Sequence, residues 1–132
     1  MRGRYVLDAG VLALYFAGYE EAKRYIDLAY SGEKVYMCEV NVAEFLYNYA
    51  RVFGWDAALV KHALIRNSPL VVKEIDETLT VEAARLKLKY YDKLSLADCY
   101  LIALAKQLKS SVVTTDSRVK EVMEAPTRLI RM

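Results

Sequence analysis

One histidine, His62, stands among 132 residues, so the chain offers no convincing general acid–base pair of the kind that activates a serine or cysteine nucleophile. No acid on the same helix stands at ligand spacing from His62, which reads as a surface or packing residue. Two cysteines, Cys38 and Cys99, lie 61 positions apart with no CxxC pair, which excludes an ordinary zinc ribbon and points to a reducing setting. Asn and Gln are scarce beside Lys, Glu and Arg, a composition of proteins from hot environments, where a Cys38 to Cys99 bridge can persist. Charge of one sign is also lacking: 19 Lys+Arg face 17 Asp+Glu, and a net +2 does not by itself announce a nucleic-acid binder. No apolar run reaches the roughly 18 residues that span a membrane, and Asp8 interrupts the basic-then-apolar start that otherwise resembles a signal peptide. The expectation is a cytoplasmic protein with no membrane partner.

What is present is a large apolar fraction, 55%, enough to fill one continuous core, and residues 1–132 read as a single domain without repeats or linkers. Tyr5-Val6-Leu7 reads as a strand stopped by Asp8-Ala9-Gly10, and VLALYF and the stretch 19–29 show helical spacing. Val35-Tyr36-Met37-Cys38 reads as a second buried strand. Asn41 opens a helix whose Val42, Phe45, Leu46, Tyr49 and Phe53 share one face, ended by Gly54. A helix from Asp56 to about Arg66 stops at Ser68-Pro69, and Leu70-Val71-Val72 supplies a third strand. Asp76 and Thr78 can cap the following helix, in which Val81, Ala84, Leu88 and Tyr91 form an apolar stripe. Ser95 starts LADCYLIALAKQL, apolar nearly all round, and residues 111–114 and 128–130 read as fourth and fifth strands. Strands alternating with helices predict an α/β fold: a three-layer α/β/α sandwich around a mostly parallel sheet of four to five strands.

In such a sheet the carboxyl ends of strands and the first turns of the next helices share one edge. Asp8, Glu44, Asp98 and Asp116 each stand at such a position, so residues spread over the chain are expected to converge. Two carboxylates about 5 Å apart repel by roughly 3 kcal/mol at an effective dielectric near 20, so four together call for a cation. All-oxygen ligation favours Mg²⁺, with Mn²⁺ able to substitute, and such a cation commonly works on phosphates by lowering the pKa of a coordinated water. Each acid has a plainer reading beside this one. Glu44 follows Asn41 by three and Asp98 follows Ser95 by three, the spacing of a capping box; Asp8 and Asp116 can be turn residues. Capping and cation binding are compatible.

Together the segments YVLDAGVLALYF, VNVAEFL, LSLADCYLIALAKQL and VVTTDSR, around Asp8, Glu44, Asp98 and Asp116, resemble PIN-domain nucleases, particularly the VapC-type toxins of toxin–antitoxin pairs. The resemblance runs end to end, and LSLAD before an apolar helix and a VVTTD strand end is its most specific part. It implies a PIN-like fold and a Mg²⁺- or Mn²⁺-dependent endoribonuclease with those four acids as catalytic and metal-binding quartet, Asp8 and Asp98 as direct ligands. It implies RNA as substrate, cleaved to a 5′-phosphate and a 3′-hydroxyl, a cognate antitoxin protein as partner, and a homodimer. Thr114 matches the hydroxyl residue before the last acid, where it would orient a carboxylate; a β-favouring residue at a strand end is the plainer reading. The chain departs from the family at Gly10, where a Ser or Thr is common.

Arg85, Lys89 and Lys93 follow one another along a helical stripe toward Asp98, and Arg118 follows Asp116, so a basic rim that holds RNA phosphates is expected beside the pocket. An ordinary solvated face is the alternative. Tyr25, Tyr49 and Tyr91 fit apolar stripes as core or dimer residues better than as base-stacking platforms. Two other classes compete. A receiver-like Mg²⁺-dependent phosphoacceptor would pair two acids after the first strand and place a Lys after the last, and neither is here. A catalytically silent PIN-like interaction module would use the four acids only as caps and turns, and cation binding separates it from a nuclease.

Overall fold

Alternation in the first strand divides the core between the two faces of a sheet. In β1 (Arg4–Leu7) the side chains of Tyr5 and Leu7 join one buried cluster and Val6 the other; in β2 (Lys34–Cys38) Val35 and Met37 go with the first, Tyr36 and Cys38 with the second. Burial on both faces is what a parallel strand with helices above and below requires. The computed structural model describes residues 4–131; the Met1-Arg2-Gly3 part of the basic N-terminal segment lies outside them.

Between and after these strands run α1 (Ala9–Phe16), α2 (Glu20–Tyr30), α3 (Glu39–Phe53), α4 (Trp55–Arg66), β3 (Val71–Lys73), α5 (Glu77–Lys89), α6 (Leu96–Leu108), β4 (Ser111–Thr114), α7 (Ser117–Glu121) and β5 (Thr127–Leu129). The five strands form one sheet in the order β3-β2-β1-β4-β5, every pair parallel, with Val6 opposite Tyr36 on one side and Val112 on the other. One layer packs α1, α2, Phe45 of α3 and Ile65 of α4 against Leu7, Val35 and Val113. The opposite layer packs Leu79, Ala83 and Leu86 of α5 and Cys99 and the buried run Leu101 to Ala105 of α6 against Val6, Tyr36 and Val112. Each fully buried Leu or Val contributes about 1.5–3 kcal/mol. The expected three-layer α/β/α sandwich is what forms.

From β1 the chain runs outward to β2 and β3, then returns past β1 to β4 and β5. The order therefore reverses between β1 and β4, and a crevice opens outside their carboxyl ends, the place where α/β sheets bind ligands. Gly54, at φ 94°, lies in the left-handed region that favours glycine and turns the chain from α3 into α4.

Three expectations change. Helix α3 begins at Glu39, not at Asn41, with Cys38 as its N-cap and no side-chain cap bond. Asn41 is buried in the first turn and donates from Nδ2 to the Ala97 carbonyl at 3.3 Å, tying α3 to the start of α6. Glu44 is therefore not the far member of a capping box. In α5 the buried face is Leu79, Ala83 and Leu86, while the stripe Val81, Ala84, Leu88 and Tyr91 points outward, Leu88 being 78% exposed. Cys38 and Cys99 are both buried free thiols, so no bridge joins them; burial, helped by the Asp98 charge, pushes the Cys99 thiol up to about 11. Among the described residues no helix is long and apolar enough to cross a membrane.

Candidate active site

Asp8 leaves β1 in extended conformation and caps α1, its Oδ1 accepting from the Val11 N–H at 3.0 Å. Its other oxygen, Oδ2, accepts from the Thr114 hydroxyl and from the Thr115 N–H at 3.2 Å. The Thr114 hydroxyl, fully buried, accepts in turn from the Asp116 N–H at 3.0 Å, so the ends of β1 and β4 are laced together through one carboxylate and one hydroxyl. Asp116 caps α7 by accepting from the Arg118 N–H at 2.9 Å. Ser95 and Asp98 form a reciprocal capping box at the start of α6, each bond 3.1 Å long. Three of the four acids thus serve as helix caps.

Capping does not disperse them. Asp8, Glu44, Asp98 and Asp116 all line one cavity of about 420 Å³ at the carboxyl edge of β1 and β4. The packing of α3 on both α1 and α6 carries Glu44 to the others. Their charges repel. Asp8 is held above the ordinary carboxylate range first by burial and further by Asp98; its three hydrogen bonds act against this and do not overcome it. Burial also raises Glu44, aided by the charges of Asp98, Asp8 and Asp116, and raises Asp98, aided by Asp116. Only Asp116 is lowered, because Arg118 donates to both of its oxygens at 2.9 and 3.1 Å.

The rest of the cavity is apolar and aromatic. Phe16, Phe45, Tyr49 and Phe53 continue its wall away from the acids, with the rings of Tyr49 and Phe53 4.6 Å apart at centroid. The expected basic rim is not drawn to it. Arg85, Lys89 and Lys93 do not line the cavity; Arg85 pairs with Glu82, Lys89 with Glu124 at 2.9 Å and Lys93 with Glu121 at 2.9 Å. Arg118 stands nearest, paired with Asp116. His62 accepts from the Arg66 guanidinium at 2.9 Å, and Arg66 also grips Glu39, a surface network away from the four acids.

A family model for the PIN domain matches residues 5–125, nearly the whole chain and all four acids. The chain belongs to the PIN domain family. Solved structures agree with the fold at low identity. VapBC2 from Rickettsia felis, bound to a DNA fragment from its promoter, superimposes with a TM-score of 0.76 at 12% identity, covering 94% of this chain and 96% of that one. VapC20 of Mycobacterium tuberculosis, a sarcin-ricin loop cleaving toxin, gives 0.72 at 17% identity with 90% and 95% covered. PAE2754 from Pyrobaculum aerophilum gives 0.68 at 21% identity with 96% and 92% covered. No curated protein matches the sequence significantly.

Within this PIN domain two groups at the cavity escaped the sequence reading. Thr115 lines it beside Asp8, and Asn48 lies one helical turn beyond Glu44. The second was legible in principle, because positions four apart on a helix share a face. The first was not: Thr115 follows a strand end, and its direction depends on how β4 meets α1.

Proposed function

We propose that this PIN domain is a divalent-cation-dependent endoribonuclease of VapC type, hydrolysing phosphodiester bonds in single-stranded RNA. The observation that supports the reading most is the set of four carboxylates on one cavity, three of them held above their ordinary range by burial and by one another. Proteins do not keep buried like charges together without compensation.

The donor set fits a hard cation. It is all oxygen, with neither His nor Cys among the lining residues. Among the described residues no group of three or more His, Cys, Asp or Glu is placed to enclose a metal ion as it stands. Mg²⁺ is commonly held through one or two carboxylates and keeps water in its remaining positions. Asp8 and Asp98 are the proposed direct holders; Glu44 and Asp116 complete the field. When bound, the cation supplies charge neutralisation for the phosphate and lowers the pKa of a water. Thr114 holds Asp8 in a fixed orientation, and Arg118 keeps Asp116 ionised. Hydrolysis by an external water releases a 5′-phosphate and a 3′-hydroxyl.

VapC and VapBC neighbours point to a cognate antitoxin as partner. Outward apolar residues Val81 and Leu88 on α5 and Tyr91 just past its end supply a surface suited to a homodimer. The direct test is incubation of purified protein with structured and unstructured RNAs, followed by mapping of product ends. Activity should vanish with EDTA, return with Mn²⁺ or Mg²⁺, and be lost in Asp8→Asn. Cleavage that survives EDTA, or products ending in a 2′,3′-cyclic phosphate, would contradict the proposed chemistry.

A further inference from the structure

Gly10 sits in the first turn of an α-helix, where glycine is a poor choice because it loses more backbone freedom than alanine. Its φ is not in the left-handed region, so the backbone does not require it. The space around it does. A Cβ built on Gly10 would collide with the Thr115 hydroxyl oxygen and would stand 3.3 Å from Asp8 Oδ1. The missing side chain is therefore what admits the Thr115 hydroxyl to the carboxylate end of the cavity, which both residues line.

That hydroxyl is uncommitted. Thr114, its neighbour, is fully buried and bonded to Asp8, whereas Thr115 is half-buried and its hydroxyl has no hydrogen-bond partner among the described residues. The backbone N–H of Thr115 donates to Asp8 Oδ2, which fixes the residue against the acid while leaving its side chain free. The four acids of the cavity accept hydrogen bonds when ionised and donate none. A phosphate also presents only acceptors, so it needs donors in a site walled by carboxylates.

We propose that Thr115 is a substrate-positioning residue, its hydroxyl donating to a non-bridging phosphate oxygen of the RNA at the carboxylate cluster, and that Gly10 is glycine in order to admit it. This rests on the nuclease reading. It makes Gly10 and Thr115 one functional unit, and that is measurable.

The experiment compares Thr115→Val, Thr115→Ser, Gly10→Ala and the double variant Gly10→Ala/Thr115→Val. Each is assayed by kcat and KM on a single-stranded RNA oligonucleotide with Mn²⁺, by anisotropy of a fluorescein-labelled oligonucleotide in Ca²⁺, and by thermal melting. Thr115→Val keeps the shape and removes the donor, so kcat/KM should fall roughly ten- to hundred-fold, the range for a hydrogen bond to a charged group. Its melting temperature should stay at the parent value, because the hydroxyl supports nothing in the fold. Thr115→Ser should remain near the parent. Gly10→Ala should displace the hydroxyl and mimic Thr115→Val, and the double variant should be no worse than either single one, the mark of two residues acting through one group.

Parent-like kinetics and affinity in Thr115→Val would overturn the proposal, as would multiplied losses in the double variant. If the parent cleaves no RNA, the nuclease reading fails by itself and the anisotropy comparison still decides: weaker binding by Thr115→Val upholds the donor, and equal binding overturns it.

Discussion

Two regions of this molecule gather acids, and they treat them in opposite ways. Behind the sheet, Glu124 accepts from Lys89 Nζ at 2.9 Å, Lys106 Nζ at 2.9 Å and the Tyr90 hydroxyl at 2.5 Å, and these donors hold its carboxyl down at about 2. At the carboxyl edge, Asp8, Glu44 and Asp98 line one cavity with no lysine among its lining residues, and all three are pushed up, Asp98 against the opposing charge of Arg118. The fold has the cations to neutralise acids and spends Lys89, Lys93, Lys106 and Arg85 on Glu124, Glu121 and Glu82 instead. Charge that serves structure is matched within the chain; the charge at the strand-end crevice is not, and the proposed cation would offset it.

The contrast breaks most visibly at Asp8. Asp8→Asn keeps an acceptor for the Val11 N–H but turns an amide NH₂ toward donors that now converge on Oδ2, so RNA cleavage should fall by at least roughly a hundred-fold. Initial rates at saturating Mn²⁺ check this. Next comes Asp98→Asn, which can keep the cap on α6 while removing one repelling charge. Mn²⁺ affinity should drop about ten-fold while the cation-free protein melts at a higher temperature. Unchanged affinity with a lower melting temperature would reduce Asp98 to a cap.

Glu124→Gln should do the reverse. It should cost about 1 kcal/mol of stability, discounted for the exposure of its lysine partners, and leave cleavage at the parent rate. The smallest effect is in pH dependence, and its sign differs between the regions. Acids whose folded pKa is raised cost stability above that raised value, and the cost disappears as pH falls through it. Glu124 contributes stability above its ordinary 4.5, and this is lost as pH falls toward about 2. Acidifying the cation-free protein should therefore first raise its melting temperature and then lower it, with Glu124→Gln softening only the second part.

Much of this was legible in the chain because local chemistry and global position coincide. The strands around Val6, Tyr36, Val72, Val112 and Leu129 are short β-favouring runs between turn residues, and each observed strand overlaps its expected position. Asp8, Asp98 and Asp116 announce themselves because a strand-end acid or an acid three after a serine is also a cap. The start of α3 was hidden because Cys38 passes directly from strand to helix with no capping side chain. The buried face of α5 was ambiguous because that helix carries two interleaved apolar rows, and periodicity alone does not say which meets the sheet. Ion pairs such as Lys89 with Glu124, 35 residues apart, depend on tertiary approach and leave no local signal.

Calorimetric titration of Mn²⁺ into the cation-free protein near neutral pH, with Glu124→Gln and Asp98→Asn in parallel, tests the carboxylate cluster most directly. One saturable binding event is expected, which raises the melting temperature, is preserved in Glu124→Gln and is weakened in Asp98→Asn. No heat and no thermal shift in the parent protein, or identical binding in Asp98→Asn, would contradict the claim that the unmatched carboxylates are a cation site.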